Sequence, residues 1–355
     1  MELERPTEGD ISPAGQQRCH HAKVSVVIAT LGKQVALTRR LLEALARQGC
    51  SKLEVVMVLN GEGSPELEAM VQGFPVRLIR TPRRGQSLAQ NIGIRQSDGE
   101  IVALTDDDVV PNDDWIHRLV AGFADPSVGC VTGRWQLGSA GYLQPEKVYS
   151  ERALSPWTIR PSDPNWVDEA LRGDTGFAAN HAFRRDLLFQ MGLMPEDLSG
   201  GTTVDTLEGE LYLKVLHRGF ALHHDPGAIV TLYFNDPPEV QQARLRMTYA
   251  AIIALYLKLL VEDRGLPGIR WRILQSLFAA AGRVLGRKPA PSAPGQVRLS
   301  GMQALAAYLY GVVLYWRSRE DTVRARQQAR AAEQATPAEL VQGSATRSST
   351  PAGGK

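Results

Sequence analysis

Asp106, Asp107 and Asp108 follow one another directly behind the apolar run Ile101-Val102-Ala103-Leu104. Adjacent carboxylates repel, and three at the mouth of a buried strand are costly unless a cation neutralises them. Mg²⁺ and Mn²⁺ prefer oxygen ligands and are commonly held by one or two carboxylates together with substrate phosphates. The triplet therefore points to a divalent metal carrying a diphosphate. The plain alternative is an acidic loop capping the next helix, and the surrounding elements decide between the two.

The elements upstream of the triplet follow a regular alternation. Lys23 to Thr30 is a β-branched run suited to a strand buried on both faces, and Leu53 to Leu59 is a second, stopped by Asn60-Gly61. Val76 to Ile79 is a third, and Glu100 to Leu104 a fourth. Between them, Leu37 to Gln48 has helical apolar spacing ended by Gly49, Ser64 to Gln72 starts with a Ser N-cap and Pro65 at the first helical position, and Ser87 to Gln96 gives another helix. Four strand–helix alternations imply right-handed βαβ units, hence an α/β fold with a mostly parallel sheet flanked by helices. Ligands of such sheets bind at the carboxyl ends of strands. Thr30-Leu31-Gly32, Leu59-Asn60-Gly61 and Asp106 to Asp108 are all strand-end segments, so they are expected to share one crevice.

The second half is less regular. Val128 to Trp135 reads as a strand leading toward the crevice, and Tyr142 to Asp168 as a long loop rich in Pro and Trp. Phe183 to Met191 and Glu208 to His217 read as helices, the latter ended by Gly219. Phe220 to His224 and Ala228 to Tyr233 read as two strands around the turn Asp225-Pro226-Gly227. Trp135, Trp157 and Trp166 could stack on an acceptor sugar or pack internally.

Composition bounds the rest. A chain of 355 residues, 43% hydrophobic and 22% charged, with net charge +2, is an ordinary folded protein with no global signal for nucleic acid. Cys19, Cys50 and Cys130 are scattered without C-x-x-C spacing, so neither a zinc site nor a disulfide framework is expected, and a reducing, cytoplasmic setting fits. The first twenty residues lack an apolar core of the kind a secretory signal needs, and residues 1–22 read as a disordered lead-in to a catalytic domain spanning 23–239. No segment reaches the ~18 uninterrupted apolar residues of a transmembrane helix. Residues 240–320 read as a basic, aromatic-bearing amphipathic helical region with no Asp or Glu between Arg264 and Arg319. That pattern suits the surface of a membrane, on its inner face, or packing as a helical subdomain. Residues 321–355 read as a fraying helix and disordered tail.

Taken in order, several segments resemble the inverting, nucleotide-sugar-dependent glycosyltransferases of the family 2 type, with the GT-A fold. They are Val24 to Thr30; Gly85-Gln86-Ser87-Leu88-Ala89-Gln90-Asn91-Ile92-Gly93; Asp106 to Asp108 with Pro111 and Trp115; Gly176 and Asn180 before Ala182-Phe183-Arg184-Arg185; and Glu208 to Leu213 running to Arg218-Gly219 and Asp225-Pro226. The resemblance implies a nucleotide-diphosphate sugar as donor, Mn²⁺ or Mg²⁺ as cofactor, and a glycan, polymer or lipid-linked acceptor, as in polysaccharide biosynthesis. Thr30, Leu31 and Asn60 would line the base pocket, with Gln86, Asn91, Asp106 and Asp107 also on the donor side. Asp108, with Asp106, would hold the metal, and Gly176, Asn180 and Trp135 would face the sugars.

The chain departs from the family pattern at several places. The general base is usually the Asp of a Glu-Asp pair; here the pair is Leu207-Glu208, making Glu208 the expected base, with Asp205 and Glu210 as fallbacks. Glu210 reads equally as a solvated first-turn residue complementing the helix dipole. Asn60 stands where an aspartate usually reads the base, and Leu232 where a histidine often helps bind metal. His223 and His224 lie close by but, as neighbours on a strand, point to opposite faces. Rival readings are a sugar nucleotidyltransferase, which needs a Gly-rich basic loop after the first strand, and a catalytically degenerate scaffold.

Overall fold

The computed structural model describes residues 22–138, 151–172, 179–196, 207–233, 237–262, 269–284 and 299–334. Gly176, Asp205, the lead-in and the end of the tail lie outside them. The first half alternates β1 (Val24–Thr30), α1 (Val35–Ala46), β2 (Leu53–Asn60), α2 (Pro65–Val71), β3 (Val76–Thr81), α3 (Gln86–Gln96) and β4 (Ile101–Asp106). A short β5 (Val109–Pro111), α4 (Trp115–Gly122), β6 (Val128–Leu137), β7 (Trp157–Ile159), α5 (Trp166–Ala170), β8 (His181–Arg184) and α6 (Arg185–Gln190) follow. Then come α7 (Leu207–His217), β9 (Ala221–Leu232) and three long helices, α8 (Pro238–Glu262), α9 (Ile269–Val284) and α10 (Gly301–Gln334).

Among the described residues the strands form one sheet in the order β3-β2-β1-β4-β8-β6-β9-β5, with β7 also on β9. The half that carries the strand ends, β3-β2-β1-β4, is parallel throughout. Beyond β4 the pairing is mixed: β8 is antiparallel to both β4 and β6, and β9 is parallel to β6. Strand periodicity divides the core into two layers. Val24, Val26 and Ile28 of β1 pack with Leu41 and Leu45 of α1, Leu67 of α2 and Trp115 of α4. Val27 faces the other layer, with Ile94 of α3, Phe183 of β8, and Leu211 and Tyr212 of α7.

The local punctuation acts as its chemistry requires. Ser64 caps α2 by accepting the Leu67 N–H at 3.3 Å, and Gly49 leaves α1 at φ +67°, a conformation that L side chains adopt at a cost. Two readings from the sequence are corrected. Residues 181–184, partly taken as helix, form the interior strand β8, because the gap between β4 and β6 is filled by main-chain hydrogen bonding to both. The two strands around Asp225-Pro226-Gly227 are one strand, β9: both halves pair with β6 in the same direction, and the extra residues are absorbed as a bulge where the register jumps from Gly133–Asp225 to Arg134–Ile229.

The C-terminal helices pack on the catalytic core. Leu255 and Leu259 of α8 and Tyr315 of α10 join the layer that contains Leu211 and Tyr212. Glu210 is buried, and both its oxygens accept from Lys258 Nζ of α8, at 2.9 and 2.8 Å, while Lys214 approaches to 2.8 Å. The expectation of a solvated Glu210 is thereby corrected, and the lone lysine in the apolar run of α8 is an internal counter-ion. Cys130 is a free, buried thiol, and Cys50 is disulfide-bonded, which the spacing of the cysteines did not lead one to expect.

Candidate active site

The parallel register brings the ends of β1, β2 and β4 together: Ala29 pairs with Asp106, and Thr30 with Leu59. Side chains then tie these ends to one another. The Thr30 hydroxyl donates to Asp107 Oδ2. Asn60 donates from Nδ2 to the Thr30 carbonyl at 3.2 Å and accepts the Gly85 N–H on Oδ1 at 3.3 Å. Gln86, in the first turn of α3, donates from Nε2 to Asp106 Oδ1 at 3.1 Å. Gly85 needs φ +152° to turn from the β3 end into that helix. The crevice expected from strand order is thus a connected polar network.

Within it the aspartates differ. All three are partly buried. Burial pushes the Asp107 carboxyl above the usual carboxylate range, and the Thr30 hydroxyl opposes that rise by stabilising the charged form. Asp108 accepts the Tyr233 N–H on its main-chain oxygen at 3.2 Å, which pins the end of β9 to the triplet. Arg40 braces Tyr233, donating to its hydroxyl at 2.8 Å with the guanidinium 4.1 Å from the ring centroid. Neither residue was singled out from the sequence; Tyr233 adjoins Leu232, but Arg40 lies on α1 without a motif. Among the described residues no three His, Cys, Asp or Glu side chains form a group able to hold a metal. Asp106 and Asp108, two residues apart, match instead the sparse carboxylate set of an ion that takes its remaining oxygens from water and phosphate.

Topology sets the end of the sheet toward which α7, the helix that carries Glu208, begins. α7 ends at His217 and turns at Gly219 directly into β9, whose first residue pairs with Val128 at the end of the sheet remote from the triplet. Its first turn therefore lies at the triplet's end. Tyr212 sits opposite His181, with 3.4 Å between its hydroxyl and His181 Nδ1, and His181 pairs with Leu104. Glu208, four residues before Tyr212 on the same face of α7, is only 9% exposed, in the part of the helix that faces the triplet's end of the sheet.

Other expected site residues serve the scaffold. Asn91 is buried, donating to the Met194 carbonyl (3.0 Å) and to Glu196 (2.7 Å) and accepting the Met194 N–H (2.8 Å). Asn180 is buried, donating to the carbonyls of Arg134 and Ala228, both at 2.8 Å, and accepting from Trp115 Nε1 at 2.7 Å. Both amides hold neighbouring segments together. Trp135 is partly buried against the layer under α4, and Trp157 stacks on His224 at 5.0 Å. His223 and His224 bind Thr158 and Thr132, each at 3.0 Å, and take no part in the crevice. Leu31, directly after β1, is 45% exposed.

Residues 25–189 match the family model described as Glycosyl transferase family 2. This part of the chain is similar to the family 2 glycosyltransferases. The domain is similar to the succinoglycan biosynthesis protein ExoM of Rhizobium meliloti, at 27% identity over 190 residues, covering 50% of this chain and 57% of that protein. It is also similar to the probable glycosyltransferase YdaM of Bacillus subtilis, at 25% identity over 220 residues, covering 58% of this chain and 50% of the relative. The chain spans about half the length of these curated relatives. Among solved structures, S. aureus TarS residues 1–349 superpose with a TM-score of 0.51 at 15% identity, covering 85% of this chain and 92% of that one. That likeness is one of fold, and the architecture of this domain is of the GT-A type.

Proposed function

We propose that this chain is a metal-dependent, inverting glycosyltransferase that moves a sugar from a nucleotide-diphosphate donor to a hydroxyl of a glycan, polymer or lipid-linked acceptor. The observation that carries the proposal is the network that ties Thr30, Gln86, Asp106 and Asp107 together at the carboxyl end of the parallel strands. Leu31 offers an apolar edge to a planar base, and Asn60 fixes the walls on either side of it. Asp108, with Asp106, would hold Mn²⁺ or Mg²⁺. Bound there, such an ion would neutralise the diphosphate and stabilise it as a leaving group. Asp107, held by Thr30, keeps the turn in shape. Glu208 takes the proton of the acceptor hydroxyl as that oxygen attacks the anomeric carbon, and a single displacement inverts the centre. Gly176 and Trp135 belong to the sugar side of this reading.

The alternatives have less support. A nucleotidyltransferase would want a Gly-rich basic loop after β1, where this chain has only Leu31-Gly32-Lys33. A degenerate scaffold is favoured by Asn60 and Leu232 at altered positions, but it leaves three clustered carboxylates without a use. The test is Mn²⁺-dependent release of nucleotide from a panel of nucleotide sugars, with and without glycan or lipid-linked acceptors. The transferase reading expects turnover with at least one donor; silence across the panel would sink it.

A further inference from the structure

α9 and α10 each keep an apolar stripe in solvent. On α9, Trp271, Leu274, Leu277 and Phe278 share one face, with Trp271 59% and Phe278 68% exposed. On α10, Met302, Leu309, Val313 and Trp316 recur at three- and four-residue spacing, with Trp316 54% exposed. The opposite face of α10 is already used: Tyr308 stacks on Tyr249 of α8 at 5.3 Å, and a Cβ at Gly311 would meet the Ala250 carbonyl at 2.3 Å, a helix crossing that only glycine permits. α10 is therefore apolar on both sides, and among the described residues protein covers one side alone. A contiguous apolar surface of this kind on a folded chain marks an interaction site.

Charge identifies the occupant. Between Arg264 and Arg319 the sequence holds nine Arg or Lys and no Asp or Glu. Exposed Arg270 adjoins the α9 stripe, and exposed Arg317 and Arg319 end the α10 stripe, Arg319 with its guanidinium 5.8 Å from the Trp316 ring centroid. Two copies facing each other through this region would oppose like charges with no carboxylate between them. An anionic bilayer supplies the missing counter-charge, and aromatic side chains flanked by arginine suit its interfacial layer. No described helix is long and apolar enough to cross a membrane, so the helices lie on it.

We infer that the outward faces of α9 and α10 dock on an anionic lipid surface. α8 transmits that anchorage to the catalytic core through the Lys258–Glu210 pair and the packing of Leu255 and Leu259 against α7. The inference is independent of the transferase reading, because binding is measured without donor or turnover.

The test is co-sedimentation of the full chain with vesicles of phosphatidylcholine alone or mixed with phosphatidylglycerol. The expected result is partition onto the anionic vesicles only, weakening with salt. The variant Trp271→Ser/Phe278→Ser/Trp316→Ser should bind at least ~10-fold more weakly, since interfacial binding scales with buried apolar area. Its melting temperature should hold, because these side chains are exposed. Arg317→Glu/Arg319→Glu should lose the preference for anionic lipid. Failure of the wild-type chain to bind anionic vesicles, or equal binding by the triple variant, overturns the inference. So does a dimer in sedimentation velocity that the triple variant dissolves, which would give the face to a second copy.

Discussion

The Thr30 hydroxyl, at the last residue of β1, donates to the Asp107 carboxylate in the turn after β4. This bond joins adjacent strand ends and charges a carboxylate that burial disfavours. Thr30→Val keeps the shape and removes the donor. Loss of a hydrogen bond to a buried charged group costs about 1–3 kcal/mol, so the urea midpoint should fall with the slope unchanged, and any donor affinity should fall with it.

Glu208→Gln should separate chemistry from binding. The amide keeps the size of the side chain but cannot accept the acceptor's proton. Transfer should drop by ~10²–10⁴-fold, while titration with donor gives an unchanged affinity. A matching loss of donor affinity would make Glu208 a binding residue instead.

Lys258→Met leaves Glu210 with only Lys214, itself partly exposed. Breaking a buried pair from one side costs ~3–5 kcal/mol, and the remaining lysine should hold the loss near the lower end. The double variant Glu210→Leu/Lys258→Leu should recover most of it. Urea unfolding of the set reads both.

How far could all this be read from the sequence? The strands that carry the crevice announce themselves, because a strand buried on both faces must be a continuous apolar run, and β1, β2 and β4 are. Their ends and the triplet followed from that. β8 did not, because nothing local distinguishes Ala182-Phe183-Arg184 from the start of a helix; its neighbours β4 and β6 impose the conformation. Asn91 and Asn180 carry amides as fit for a ligand as for a main-chain clamp, and their hydrogen bonds to Met194, Arg134 and Ala228 depend on chain segments far apart in sequence. Lys258 was visible as a break in an apolar run, yet its partner lies on another helix. Glu208 could be placed at the start of a helix, but which end of the sheet that helix faces depends on where β9 begins.

His181 gives the fold a pH dependence. Burial holds its imidazole at a pKa of about 3, below the ordinary 6.5. Between those values the unfolded chain binds a proton that the folded chain refuses. The stability tied to His181 is thus complete above its unfolded pKa and is lost progressively as pH falls toward the folded one. At about pH 5 the loss should approach 2 kcal/mol. His223 and His224 are shifted the same way, also by burial. His181→Gln isolates the contribution: its unfolding free energy should fall less steeply with acid than that of the parent chain.

The central claim is that the strand-end crevice takes a nucleotide diphosphate through a divalent ion, and calorimetric titration of the full chain tests it most directly. Nucleoside diphosphates and their sugar conjugates are titrated in Mn²⁺, in Mg²⁺ and in chelator, against the parent chain and Asp108→Asn. The expected result is saturable binding of at least one nucleotide that disappears in chelator and in Asp108→Asn. Binding that is indifferent to metal and to Asp108, or no binding of any nucleotide, would contradict it.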